Sequence, residues 1–530
     1  MSVFLILTTL IILIGYAAYL LSKRKYDYWK KKNVPYLKPL PILGNYGKYI
    51  LLQEYPGHVV QKMCQQFPNE PYFGAVYGTE PVLVVQNPEL LKYILTKNFY
   101  YFNGRESSNY DIKEALTRSL FFSAGDNWKV FRQNLSPLFS SSKIKNMFYL
   151  IEKYCYIFED MLDKETSVTN VIEAKDICAR FTMDCVGSCT FGIETNTMTD
   201  PENNPFKFMG DEIFRASASR GLQLIFRGIW PAIFYALGFK VFPDTIVTFF
   251  SQLLKDVFKS RGYKPTFRND FVDLVLTLKK HDMITSDKMS NIKTGLAEKV
   301  EMKLDDEILV AQCFNFFGAG FETSAGTLSF ILYELARNPE KQKRAAEEVD
   351  EYLRCYGNKL NYDGIKKLPY LDACLYETLR IYPVLGVVTR EVMDDCTLPD
   401  GLTLDKGVRI HIPVYALHHN PDFFPEPDAF KPERFLPQNK GNIEQYTFQP
   451  YGEGPRTCIG KRFSKMQVLP GLVTILKKYR LELVEGLPEN FVFDCRTTVT
   501  RPKDQSIMLK FLKRDGWEQR AFVNNDFLLQ

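Results

Sequence analysis

The chain has 530 residues, 45% of them hydrophobic and 24% charged, the balance of a globular protein with a sizeable core. A net charge of +5 is small for that length and argues against a nucleic-acid binder. Eleven cysteines, an odd number in no repeating frame, argue against a disulfide scaffold and for free thiols in a reducing compartment.

The first segment, Val3 to Leu21, carries no charge. Its nineteen residues, as a helix at ~1.5 Å each, reach roughly the thickness of bilayer hydrocarbon. The basic run "SKRKYDYWKKK" follows it, where a cleaved signal peptide would carry its charge in front. Residues 1–21 therefore read as a transmembrane signal-anchor, with the bulk of the chain facing the cytosol. Tyr26, Tyr28 and Trp29 suit a membrane-interface belt. Residues 22–54, ending in the proline-rich "VPYLKPLPILGN", read as a basic, stiffened stalk.

From about Tyr55 the chain reads as one unit to Arg514, with no internal repeat. "PYFGAVYGTEPVLVVQ" predicts a hairpin around Gly78 to Glu80. "NPELLKYILTK" opens with a cap and a first-turn proline, and helical patterns then dominate. Ile229 to Phe242 is a short apolar run broken by Pro231. It reads equally as a buried element or as shallow contact with a membrane surface. Asp305 to Asn338 predicts a very long helix, apolar around its middle and so bound for the core. "NPEKQKRAAEEVDEYL" and "LPYLDACLYETLRIYP" predict two more helices, and from Val387 short strands, turns and prolines take over. The fold class is mainly α with a small β part. The tail, residues 515–530, suggests no function.

One stretch carries chemistry, "FQPYGEGPRTCIGKRF", Phe448 to Phe463. It is not a phosphate loop. The position five before Gly460 is Pro455, and no hydroxyl residue follows Lys461. No C-x-x-C or His-x-x-x-His spacing offers zinc a ligand set. What remains is Cys458 in a glycine bulge, with Arg456 nearby and a predicted helix, "KRFSKMQVLPGLVTIL", just after it. A helix N-terminus favours thiolate over thiol, and a single exposed thiolate suits the axial position of a haem iron.

"YGEGPRTCIG" resembles the haem-binding signature of the cytochromes P450, F-x-x-G-x-R-x-C-x-G, with Tyr451 where phenylalanine is usual. Three other stretches resemble the same family. "ETLR" with "PERF" matches its E-x-x-R and following arginine, which implies a buried structural network of Glu377, Arg380 and Arg434. "AGFETS" matches A-G-x-[ED]-T-[TS], which implies room for dioxygen at Gly320 and a proton relay through Glu322 and Thr323. "WKVFR" matches W-x-x-x-R. The resemblance implies that Trp128, Arg132, Arg390 and Arg456 contact the haem propionates, with Arg105 a further candidate, and that Cys458 binds the iron. The likeness runs from the anchor to about Arg514 and is greatest to insect microsomal, xenobiotic-metabolising members.

The resemblance implies a membrane-anchored haem-thiolate monooxygenase of the endoplasmic reticulum, its catalytic domain facing the cytosol. It would insert one oxygen atom from O2 into an apolar small molecule. No dinucleotide fingerprint is present, so a separate NADPH-dependent flavoprotein reductase is implied. Its docking face would include Lys129, Lys143, Lys145, Lys461, Arg462 and Lys465. Expected pocket walls are the loop Tyr110–Phe122, Phe314 and Phe317, and Val384–Val388. The alternatives are a haem-thiolate isomerase or dehydratase needing no reductase, against which the intact Glu322–Thr323 pair argues, and a non-enzymatic haem carrier or sensor.

Overall fold

The computed structural model describes residues 25–280 and 282–523, together with Thr9, Tyr16, Leu20 and Lys23. The expected span Val3–Leu21 lies almost wholly outside the described residues, and among those no helix is long and apolar enough to cross a membrane.

The core is helical. Helix α1 (Gly125–Leu135) buries Trp128, Val130 and Phe131, and α2 (Ser141–Val168) and α3 (Ala174–Phe191) follow it. The long helix expected from the sequence is α4 (Asp306–Arg337). Asp305 caps it by accepting from the Ile308 amide, and Asp306 and Glu307 suit its positive end. It is buried nearly all round because α3 and its neighbours wrap it. Helices α5 (Pro339–Tyr356), α6 (Pro369–Ile381) and α7 (Lys461–Leu476) complete the frame of the site.

The β part is small. Strands β1 (Tyr72–Tyr77) and β2 (Glu80–Val85) form the expected hairpin, its turn using Gly78 at φ +63°. Further strands are β3 (Val171–Glu173), β4 (Met283–Asp287), β5 (Lys299–Lys303), β6 (Val388–Glu391), β7 (Arg409–Ile412), β8 (Tyr479–Leu483) and β9 (Met508–Lys513). One sheet runs β1-β2-β7-β6, with β2 and β7 parallel; another runs β8-β9-β3. The pair β4–β5 is a separate hairpin laid on α1. The Met289 amide donates to Asp126 at 2.6 Å and Asn134 donates to the Thr285 carbonyl at 2.9 Å.

Two sequence expectations change here. Trp29 and Tyr26 belong to no interface belt, because both are buried, Trp29 completely. Trp29 lies against Gly74, where a Cβ would come within 2.3 Å of the indole, and donates to the Ala75 carbonyl at 2.8 Å. The segment read as a stalk thus packs on the sheet through Trp29, Val34 and Tyr46. The run after Ile229 divides its faces. Ile229, Phe234 and Phe242 are buried, whereas Ile233, Leu237 and Phe239 are exposed.

Candidate active site

The thiol loop is shaped by its glycines. Gly454 sits at φ +72°, and a Cβ there would meet the Leu95 carbonyl oxygen at 2.0 Å, so no other residue fits. The Cys458 amide donates to the Tyr451 carbonyl at 2.8 Å, and Gly460 then opens α7. A Cβ on Gly460 would stand 3.9 Å from the Cys458 sulfur. The extra hydroxyl of Tyr451 pairs with Ser464 at 3.0 Å.

Cys458 lines a cavity of about 370 Å³ whose walls are mainly apolar. It is exposed and forms part of the wall of that cavity. Desolvation raises its pKa; the Gly460 N–H, Arg132, Arg105 and Lys461 act against this. Most of the other described cysteines are buried in the core.

Four guanidiniums converge on one rim of this cavity. Arg456 lies over the Trp128 ring at 4.9 Å and donates to the Ser123 carbonyl at 2.5 Å. Arg132 donates to the Thr457 carbonyl at 2.8 Å, and Arg390 to its neighbour's carbonyl at Thr389, also at 2.8 Å. Arg105 covers the Phe121 ring at 4.2 Å and donates to its carbonyl at 3.1 Å. Among the described residues no carboxylate forms an ion pair with any of them. Arg390 is 2% exposed and Arg456 6%, and the Nε of each is buried without a partner. Burial, then repulsion from Arg105, brings Arg390 to about 9, and burial with the other three arginines lowers Arg456. Buried cations are normally paired, so this rim fits a ligand carrying more than one negative charge. The two carboxylates of a haem, with Cys458 beneath the ring, match that donor set.

Above the thiol runs α4. Asn315, Phe316, Ala319, Gly320, Thr323, Ser324 and Thr327 line the cavity. Thr323 Oγ1 donates to the Ala319 carbonyl at 2.6 Å. Glu322 faces the other way, into a charged cleft of about 450 Å³, where Lys175 pairs with it at 2.6 Å. The two residues expected to act together are adjacent in the chain but open on different compartments. Gly320 serves helix packing as well, since a Cβ there would meet Val186 of α3 at 3.0 Å.

The pocket walls differ from expectation in part. Phe314 packs on Phe242 and Phe250, and Phe317 on Phe191; Phe316 lines the cavity instead. Of the loop Tyr110–Phe122, Leu120 and Phe121 reach it, together with Val384, Leu385, Val387 and Val388. On the thiol side, Lys129 donates to the Lys288 carbonyl of the inserted hairpin, Lys145 pairs with Asp363 and Lys465 with Asp372. That leaves Lys129, held only by a carbonyl, with Lys143, Lys461 and Arg462 as the members of the expected basic face without an ion pair among the described residues. Nothing in the sequence pattern signalled that hairpin.

Beside the site, Glu377 and Arg380 are both fully buried and paired at 2.8 Å. The Lys431 amide donates to Glu377 at 2.8 Å, and Arg434 stands 3.4 Å from the same carboxylate. Arg380 also donates to the His418 carbonyl at 2.9 Å.

The sequence profile of "Cytochrome P450" matches residues 34–508. The chain is 34% identical over 494 residues to "Probable cytochrome P450 6a14" of Drosophila melanogaster, covering 92% of this chain and 96% of that one. It is 34% identical over 487 residues to "Cytochrome P450 6j1" of Blattella germanica, covering 91% and 92%. It is 32% identical over 488 residues to "Cytochrome P450 6B2" of Helicoverpa armigera, covering 92% and 94%. The chain belongs to the cytochrome P450 family, a monooxygenase whose cofactor is haem with a cysteine thiolate as axial ligand.

Proposed function

We propose that this monooxygenase acts on apolar small molecules, xenobiotic or endogenous, at the endoplasmic reticulum membrane, with electrons from a separate NADPH-dependent flavoprotein reductase. One observation carries the site assignment: the Cys458 thiol on a mainly apolar cavity, rimmed by Arg105, Arg132, Arg390 and Arg456 with no carboxylate among them. In this reading Cys458 is the iron ligand, and the guanidiniums, with Trp128 stacked beneath Arg456, hold the haem carboxylates. When bound, the haem supplies dioxygen activation, one oxygen atom passing to substrate and the other to water.

The chain's own residues do the rest. Phe121, Phe316 and the valines from 384 to 388 bind the apolar substrate and keep water from it. Thr323 holds a proton at Oγ1 on the cavity side. Glu322, on the cleft side and paired with Lys175, is the acidic partner of that relay. The exposed Ile233, Leu237 and Phe239 suit shallow membrane contact, and Val3–Leu21 serves as the anchor.

The test is turnover of lipophilic compounds that shift the haem spin state. Product must require both reductase and dioxygen. Cys458→Ala should lose turnover and the long-wavelength Soret band of the reduced carbon monoxide complex. Thr323→Ala should keep haem but lower the ratio of product to NADPH consumed, releasing hydrogen peroxide. Unchanged coupling would leave Thr323 only its bond to Ala319. A chain starting at Lys25, which keeps Trp29, should bind haem yet leave membranes more readily.

A further inference from the structure

Helix α4 leaves only a narrow stripe of its middle uncovered. From Gln312 to Thr327 the residues that are not buried are Asn315, Ala319, Gly320 and Thr323, and all four line the cavity over Cys458. Asn315, Ala319 and Thr323 follow one another by four residues and so share one face. Ala319 and Gly320 are small, and the Thr323 hydroxyl is turned back onto its own helix. Asn315 is the exception on this stripe, because its side chain ends in two N–H donors and a carbonyl acceptor.

Nearby polar side chains of α4 have partners within the chain. Gln312, three residues earlier, uses both ends: its Oε1 accepts from the Leu120 amide at 3.1 Å and its Nε2 donates to the Arg118 carbonyl at 3.0 Å. Thr327 donates to the Thr323 carbonyl at 2.8 Å, and Glu322 pairs with Lys175. Among the described residues nothing donates to the Asn315 side chain or accepts from it. Asparagine is also a weak helix former, so the helix itself gains nothing from it. The walls that share the chamber with it are apolar, among them Phe121, Phe316, Val384 and Val388. A polar group in such a wall is costly until it has a partner, and here the partner has to come from inside the chamber.

We propose that Asn315 is a specificity-determining residue whose amide donates to one oxygen of the substrate, and that the substrate class is a mainly hydrocarbon molecule bearing a carbonyl group. The inference rests on the reading of this cavity as the substrate chamber of the monooxygenase. A carbonyl suits the site better than a hydroxyl, because it accepts without adding a donor that the apolar walls would leave unpaired. The amide stands one helical turn, ~6 Å along the axis, from Ala319. A molecule held there by its oxygen has one end fixed, so its distance from that oxygen decides which carbon is presented for oxidation. A hydrocarbon of the same shape enters the chamber but leaves the amide unpaired, and is bound less well for that reason.

The experiment uses two matched pairs of probes, tetralin with 1-tetralone and fluorene with 9-fluorenone. Their dissociation constants are measured on the haem-loaded full chain, on Asn315→Leu and on Asn315→Ala, by the haem spin-state shift and independently by equilibrium dialysis. Leucine keeps the size of the side chain and alanine empties it. The spectrum of the reduced carbon monoxide complex shows whether each variant holds haem, and if one does not, the other decides. Within each pair the ratio of the two constants is compared between proteins, since the hydration of the ketone is common to all of them and cancels. Loss of one neutral hydrogen bond should move that ratio against the ketone by roughly tenfold in both variants. Asn315→Leu should bind the hydrocarbons at least as tightly as the wild type does. An unchanged ratio in a variant that holds haem overturns the inference and leaves the cavity a substrate chamber. A wild-type protein that binds neither pair sinks the reading of the chamber itself, and the inference with it.

Discussion

Two buried clusters of arginine differ in one respect. Arg380 has its charge answered within the chain, by Glu377 and by the His418 and Ala429 carbonyls. Arg456 and Arg390 have carbonyl partners but no carboxylate, and each keeps a buried Nε unpaired. The first cluster is complete as folded. The second is complete only with an anion from outside. Buried guanidiniums are thus a sign of architecture where their counter-charge is covalently present, and of a binding site where it is not.

The largest test of this contrast is Glu377→Ala. It strands Arg380 in the core and should cost roughly 3–5 kcal/mol, measured as a lower denaturant midpoint with or without haem. A midpoint unchanged in the haem-free chain would erase the distinction between the clusters. Next is haem with both carboxylates esterified. It should bind the wild type more weakly by roughly 3 kcal/mol, about a hundredfold, in a competition against free haem. Equal binding would mean that the rim answers some other charge.

Arg456→Leu sharpens the contrast from the protein side. It should speed haem transfer to an acceptor protein by about tenfold, near 1.4 kcal/mol. The haem-free chain should be no less stable than before, because the change relieves repulsion among like charges. A further test is the effect of acid on the paired cluster. Burial, then His419 and Arg380, holds His418 well below the usual imidazole range, and burial brings His419 to about 3. Unfolded, both take up a proton near pH 6.5, so below that value the folded chain binds fewer protons. Stability should fall as pH drops through 6.5, by at most about 1.4 kcal/mol per unit for each imidazole. Denaturant midpoints at pH 7 and 5.5 would reveal it, and equal midpoints would show both rings titrating freely.

Much of this was readable in the chain. The glycines around Cys458, the i,i+4 pair of Trp128 and Arg132, and the uncharged middle of α4 each impose local geometry that sequence spacing records. What escaped depends on distant partners. The parallel pairing of β2 with β7 joins residues more than three hundred positions apart, and no local pattern encodes it. Trp29 reads as a membrane-interface residue until Gly74 supplies the hollow it fills. Lys129, Lys145 and Lys465 read as an open basic face, yet each has a partner from another element. Phe314, Phe316 and Phe317 share one composition, and only the helix phase decides which meets the cavity.

That phase has a consequence for how α4 can vary. Each residue turns the helix by about 100°, and Glu322 and Thr323 open on opposite compartments. A single inserted residue just before Ala319 would carry the Glu322 carboxylate into the apolar chamber over the thiol and turn Phe321 toward the charged cleft. Conservative substitutions along this stretch cost a contact or two. An insertion or deletion exchanges the contents of two rooms, so the length of this helix is less free to change than its letters.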